Sequence, residues 1–479
     1  MLRVVAETLR RRGTQGWLVG GTVRDGQLGR FSPDLDVVVA DDPRQVAIEV
    51  ASCLQWPWFA LSKHFNAYRV VGDVGYVDIA ALRGRDLRAD LELRDFTVNA
   101  MAMPVEGGPL VDPFGGTGHL RERILVAVSD RVFADDPLRL MRAVRFCHVL
   151  GFRLDPELDR LLREQAGSLA LTARERVLTE MSLTLEAGRS AGAVGLWRDL
   201  GLLEVMLPEL ASGTVSPSGT ASASGTVSIS GTVSGSGGSP ATRPVMAASP
   251  ATGDAGRQPV RPVIETAIRV LEELDSILAD IGAWFPAQAA LLAERLAQPV
   301  DGALSRPVVI RLTGLLRLLP SQRSEAIGRR LRLPNSVTGI VRRAAEQRES
   351  DSGIEAGSLT ERGVVSFLWQ SAPWEPELIL VALGAGLGEN KNSAENLRAH
   401  AQRLMERWAA RVSGVPRPPV DGDDLARELG VEPGPLLGSV AREVQLAWEA
   451  GEFGDADEAL HLAREFLLES RSGAISTGS

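Results

Sequence analysis

The chain has 479 residues, enough for roughly three domains. Its 44% apolar content excludes a wholly disordered chain. With 52 basic against 61 acidic residues and a net charge of −9, it is not built to coat nucleic acid by bulk charge, although a local basic groove stays open.

The opening stretch, Met1–Trp17, carries arginines but lacks the apolar core of a secretion signal. No apolar run approaches the ~20 residues of a membrane helix. A cytoplasmic location without a membrane partner is therefore expected. Residues 1–118 alternate strand-like and helical runs, with strands predicted over Gly16–Val19, Asp34–Ala40, Tyr68–Val71, Tyr76–Ala80 and Leu110–Asp112. The first strand runs into Gly20-Gly21-Thr-Val-Arg24-Asp25. Backbone N–H groups at such a helix start, with Arg24 one turn in, suit an anion, although a plain tight turn uses the same residues.

Asp34 and Asp36 are two apart on a strand, so both carboxylates point one way. Two like charges held together cost energy unless they are solvated or bridged by a cation. Mg2+ prefers carboxylate oxygens with phosphates and water, which makes this pair a candidate metal–nucleotide site; a solvated strand start is the alternative. A third acid, Asp78, lies in Tyr76-Val-Asp-Ile-Ala80 with apolar neighbours on both sides. Three carboxylates on neighbouring strands are what two-metal phosphoryl transfer requires.

From about Leu120 the pattern turns helical: Leu138, Met141, Val144 and Cys147–Val149 recur at helical spacing. Asp136, Arg139, Arg142 and Arg145 advance by three and sweep slowly round one side of that helix, an arrangement that is ordinarily a solvated face. A carboxylate accepts from an exocyclic amine, and an arginine donates to a ring nitrogen or carbonyl. Asp136 with Arg139 would therefore suit C and A, which set an amine beside an acceptor, and not U or G.

From Ala211 to about Pro262 the chain is mostly Ser, Gly, Thr, Ala, Val and Pro, with Gly-Thr recurring at Gly213, Gly219, Gly225 and Gly231. Four short turns without large apolar residues could not bury a core, so a disordered linker is expected over 211–262. Residues 263–479 read as helices with breaks near Pro320, Pro334, Pro373 and Pro416–Pro419. The expected fold class is α+β: a head with a small mixed β-sheet (1–118), then an all-helical neck (119–210), the linker, a helical body (263–412) and a helical tail (413–479).

Four motifs occur in order: LVGGTVRD with DLD, Arg94-Asp-Phe-Thr-Val-Asn-Ala-Met101, Val111-Asp-Pro-Phe-Gly-Gly116, and the run from Asp135 to Phe146. Over roughly 1–210 the sequence resembles the class II tRNA nucleotidyltransferase and poly(A) polymerase family; a weaker match returns between Val420 and Glu452. The resemblance implies a Mg2+-dependent, template-independent enzyme that adds C and A from CTP and ATP to a tRNA 3′ end and releases pyrophosphate. It implies that Gly21 and Arg24 hold the triphosphate, that Asp34 and Asp36 hold the metal ions and that Asp78 completes the catalytic carboxylates. It also implies nucleotide contacts from Arg94, Asp136, Arg139, Arg142 and Arg145, and a tRNA-binding body.

The chain departs from the family pattern in places. Leu93 stands where a second arginine usually precedes the Arg94 motif, Asp135 replaces a Glu, and His119-Leu120 follow the glycines in place of Asp-Leu. Only 81–93 separate Asp78 from Arg94, a short stretch that resembles CC-adding specialists. CC-only addition, poly(A) addition and a catalytically silent RNA-binding protein are the alternatives. None of the five histidines is followed by Asp, so the phosphohydrolase domain of some relatives is not expected. Cys53 and Cys147 make neither a disulfide framework nor a CxxC metal motif. Lys63 and Lys391 are the only lysines, so 50 of the 52 basic residues are arginine, which reads mainly as base composition.

Overall fold

The computed structural model describes residues 1–62, 66–212, 214–215, 221–222, 261–300, 304–350, 360–389 and 393–476. Most of the expected linker, and also His64, Lys63 and Lys391, lie outside them. The described chain falls into two units, residues 1–188 with 192–206, and residues 189–191 with 207–479.

The first unit begins with helix α1 (Leu2–Arg12) and strand β1 (Gly16–Val19), which leads without a loop into α2 (Gly20–Gln27). Strand β2 (Leu35–Val39), helix α3 (Pro43–Leu54), strands β3 (Trp58–Ser62), β4 (Ala67–Gly72) and β5 (Gly75–Ala81), the short α4 (Leu87–Glu92) and β6 (Ala102–Pro104) complete the head. The six strands run in the order β3-β4-β5-β2-β1-β6, with β2 and β5 parallel and the other pairs antiparallel. Alternation along β2 sorts its side chains. Val38 shares its face with Asp36 and packs with Val19, Leu91 of α4, Ala100 and Ala102. On the other face α1 packs on α3; Val5, Leu9, Val46 and Val50 are buried there. Gly16 lets β1 lie close to α1: a Cβ on it would lie 2.5 Å from the Leu9 side chain, which would have to shift.

Four of the five predicted strands form. Leu110–Asp112 does not: Val111 makes only an isolated bridge to Ala102, and Asp112 instead accepts from the backbone N–H groups of Gly116 and Thr117 (2.7 and 2.9 Å), starting helix α5 (Gly116–Glu122). Trp56 and Trp58 are half-buried beside the sheet edge.

After α5 come α6 (Val132–Asp135), α7 (Arg139–Leu150), α8 (Pro156–Gln165) and α9 (Arg174–Glu186). A two-strand ladder, Ile124–Leu125 with Arg153–Leu154, ties the start of this region to the end of α7. Helix α7 packs on α9 and buries Leu140, Met141, Val144 and Phe146.

In the second unit, helix 263–279 packs against helices 306–316 and 375–389. Gly314 and Gly384 leave room for the Leu274 side chain, and Gly388 lets the Val270 backbone approach. Helix breaks fall at all the predicted prolines, since proline supplies no N–H for the helix ladder. Residues 422–429, 435–449 and 456–476 form three helices around their own core of Val420, Leu425, Val440, Val444, Ala459, Ala463 and Leu467. No helix among the described residues is long and apolar enough to cross a membrane.

Candidate active site

Where β1 passes into α2, Gly20 takes a left-handed φ of 64° that costs a side-chain residue energy. The turn brings the helix start against β2: a Cβ at Gly20 would lie 3.3 Å from Asp36 Oδ2, and one at Gly21 would lie 3.8 Å from it. Thr22 Oγ1 donates to the Asp34 carbonyl (3.2 Å) and accepts from the Asp36 N–H (2.8 Å), locking the two segments together. A cavity of about 660 Å³ opens over this junction. Seven arginines and five aspartates line it, among them Arg24, Asp34, Asp36, Arg94, Asp136, Arg139, Arg142 and Arg145.

Asp36 is half-buried, and no hydrogen bond is described to its carboxylate. Burial, with Asp78 and Asp34 nearby, pushes its pKa up against the pull of Arg94 and Arg24. Asp34 accepts from the Tyr76 hydroxyl, whose own pKa is pushed up to about 12, chiefly by burial. These two acids suit a divalent cation, because Asp36 is a poorly compensated charge with a second carboxylate beside it.

The expected third carboxylate stands on the adjacent strand. Asp78 lies opposite Asp36 in the β2–β5 register, yet both its oxygens accept from Arg69, at 2.7 and 2.8 Å. Arg69 stacks 3.7 Å from the Tyr76 ring centroid, and Asp78 is not part of the cavity wall. Among the described residues no group of three His, Cys, Asp or Glu side chains is arranged to hold a metal ion.

Every expected arginine comes to the cavity already engaged. Arg24 donates to Asp25 through Nε and Nη2, both at 2.9 Å, and to Asn99 Oδ1 at 2.8 Å. Arg142 pairs with Asp95, and Arg145 Nε donates to Glu180 at 2.6 Å. The guanidinium groups of Arg24, Arg142 and Arg145 all lie within 5.2 Å of the Phe146 ring centroid. Asp95 is buried; desolvation opposes its charge, but Arg142, Asn99 and the Phe96 N–H hold its carboxyl below the usual range.

Asp136 sits in extended backbone just before α7 and accepts from Arg176 of α9 at 3.2 and 2.8 Å. Arg139 donates to the carbonyls of Val132 and Leu93. The arginines are therefore not the solvated helix face that their spacing ordinarily indicates. Asp95 and Glu180, which hold these arginines, and Arg176, which holds Asp136, were not legible as site residues. Asp95 lies inside a motif, but Glu180 and Arg176 look like ordinary surface charges on a distant helix.

Residues 16–126 match the Poly A polymerase head domain, and 151–213 match the probable RNA and SrmB-binding site of polymerase A. A CC-adding tRNA nucleotidyltransferase of Geobacter sulfurreducens is 38% identical over 185 residues, 38% of this chain and 43% of the relative. A CCA-adding enzyme of a Geobacillus species is 34% identical over 226 residues, 43% of this chain and 54% of the relative. The chain thus spans about half the length of the curated relatives it matches. In fold it is similar to the solved Thermotoga maritima CCA-adding enzyme complexed with tRNA (TM-score 0.62, 20% identity, covering 98% of this chain and 94% of that one). The two matched segments, 16–126 and 151–213, contain most of the residues that line the cavity, so the likeness to the polymerase head and RNA-binding domains falls on the candidate site.

Proposed function

We propose that the protein is a template-independent nucleotidyltransferase that adds C and A from CTP and ATP to the 3′ end of tRNA. The observation that carries this reading is one cavity holding the carboxylates Asp34 and Asp36 at one place and the Asp136–Arg139 pair at another. A nucleoside triphosphate needs both: an anion-binding, metal-bearing end and a base-selecting end.

Asp34 and Asp36 would hold Mg2+, which when bound offsets the triphosphate charge and favours the ionised form of the attacking 3′-hydroxyl. Arg24, packed against Gly21, faces the triphosphate end and holds it with the backbone of α2. Arg94 adds a donor beside Asp36. The 3′-hydroxyl attacks the α-phosphate in line, and pyrophosphate leaves. Asp136 accepts the exocyclic amine of C or A, and Arg139 donates to the adjacent ring acceptor. Both are tethered by neighbouring groups, which favours a fixed selecting edge. The helices from 263 onward would carry the tRNA body, and a cytoplasmic location fits such a substrate.

A second reading, addition of CC alone, is favoured by the short stretch between Asp78 and Arg94 and by the name of the Geobacter relative. The deciding assay supplies tRNA lacking its 3′ CCA, Mg2+, and CTP and ATP singly and together. Three additions ending in A are expected. Two additions of C followed by arrest would replace CCA addition with CC addition, and long A tracts on unrelated RNA would indicate a poly(A) polymerase. Asp36→Ala should abolish incorporation while leaving tRNA binding intact, and unchanged turnover would defeat the metal assignment.

A further inference from the structure

Asp90 is fully buried on α4, in the short stretch between β5 and Arg94. Its Oδ1 accepts from the backbone N–H of Arg83 and from Arg83 Nε, both at 3.1 Å. Its Oδ2 accepts from Arg94 Nε and Nη2, at 3.2 and 3.0 Å, and its carbonyl accepts from Arg83 Nη2 at 3.3 Å. Burial works against the charge of this carboxyl, but Arg94 and Arg83 outweigh it and keep it ionised.

Each guanidinium is thereby gripped along one edge, while its Nη1 makes no described hydrogen bond. The free edge of Arg94 is turned towards the carboxylates, since a Cβ at Gly20 would lie 3.1 Å from its Nη1. Arg83 lines the same cavity and also a neighbouring one of about 540 Å³, whose wall includes Leu93, Arg94, Asp136 and Arg139. Arg83 thus shares both cavity walls with Arg94 and with the base-selecting pair. The single Asp90 carboxylate offsets only one of the two guanidinium charges, so the trio keeps a net positive charge, and a tethered fork loses less freedom on meeting an anion than a free one.

We propose that Asp90 is a positioning residue that holds Arg83 and Arg94 as a pair of nucleotide-binding cations, making Arg83 a further contact to the incoming nucleoside triphosphate. This rests on the reading of the cavity as a nucleotide site. The short stretch after β5 then has a purpose: it brings a cation to the cavity wall within a few residues of the strand.

The test measures binding of ATP and of CTP, without RNA, to the full chain and to Arg83→Met, Asp90→Asn and the double variant, by equilibrium dialysis. Arg83→Met leaves Asp90 paired with Arg94, so the fold survives, and affinity should fall about tenfold, the loss of one charge-assisted contact. Asp90→Asn should cost at least as much, and Arg83→Met should add little on top of it, because both act through the same group. A merely structural Asp90 would give additive losses. Wild-type affinity in Arg83→Met, or additivity in the double variant, overturns the inference; should Asp90→Asn fail to fold, Arg83→Met decides alone. If the unaltered protein binds neither nucleotide, the nucleotide reading of the cavity falls and takes the inference with it. If it binds both and Arg83→Met binds equally, only the inference falls.

Discussion

Asp136 shows how much of a side chain's role is set by what holds it. A lone carboxylate before a helix rotates freely, whereas here two donors from Arg176 fix both oxygens. A fixed acid can discriminate between an amine and a carbonyl, because the wrong base sets an acceptor against an acceptor. Asp136→Ala should therefore lower the preference for C and A over U and G by about tenfold or more, the scale of one good base contact, with smaller loss of total turnover. Competition between the four labelled nucleotides on one tRNA measures it. Retained C and A preference would refute the selecting role. Arginine content acquires meaning at the same scale: Arg142 spans Asp95 and Glu180 (3.6 Å to the latter) with one planar group, which a lysine's single ammonium cannot do.

At the scale of elements, α7 is fixed by charge as well as by its apolar face. Asp95 is its buried partner, and the sign of its pH effect follows from its lowered pKa. A carboxyl that is more acidic folded than unfolded contributes stability above the unfolded value of about 4, and that contribution is lost as pH falls through the folded value. Thermal unfolding followed from pH 7 to pH 3 should show Asp95→Asn less stable than the wild type at neutral pH, with the difference shrinking towards acid. A constant difference across the range would contradict this.

The elements themselves were legible to different degrees. β1, β2, β4 and β5 declared themselves because turn residues bound short apolar runs. β3 did not, since Trp58–Ser62 is a half-exposed edge strand with a blurred alternation, and β6 is only three residues long, directly after the Arg94 motif. Leu110–Asp112 was over-read because Asp112 starts a helix instead of ending a strand. Within the site, Asp34, Asp36, Arg24 and Arg139 could be read because charge stands out in an apolar setting. Asp90, Arg176 and Glu180 could not, for a charge on a helix looks solvated until a partner many residues away is seen to reach it.

For the whole molecule, several of the acids in the total serve as partners of arginines inside the fold. In the second unit Glu377 accepts from both Arg295 and Arg306, Asp275 from Arg311 and Ser190, and Glu389 from Arg317. Breaking such a buried pair from one side strands a charge, which holds the helices to one arrangement. The first unit follows the same rule around Phe146, where Asp25, Asp95 and Glu180 hold the three arginines that crowd one ring.

That ring of paired arginines has a consequence in ionic strength. Bare cations in a cleft gather mobile anions from the buffer, and a ligand that expels them loses affinity steeply as salt rises. Here the counterions are built into the chain and stay when a triphosphate arrives, so few mobile ions are released. The slope of log affinity for ATP or CTP against log salt should be far shallower than seven arginines would give, and a slope approaching that number in titrations over a range of KCl would show the pairs opening on binding. Salt tolerance at the nucleotide site would then be a property of Asp25, Asp95 and Glu180, none of which need touch the nucleotide.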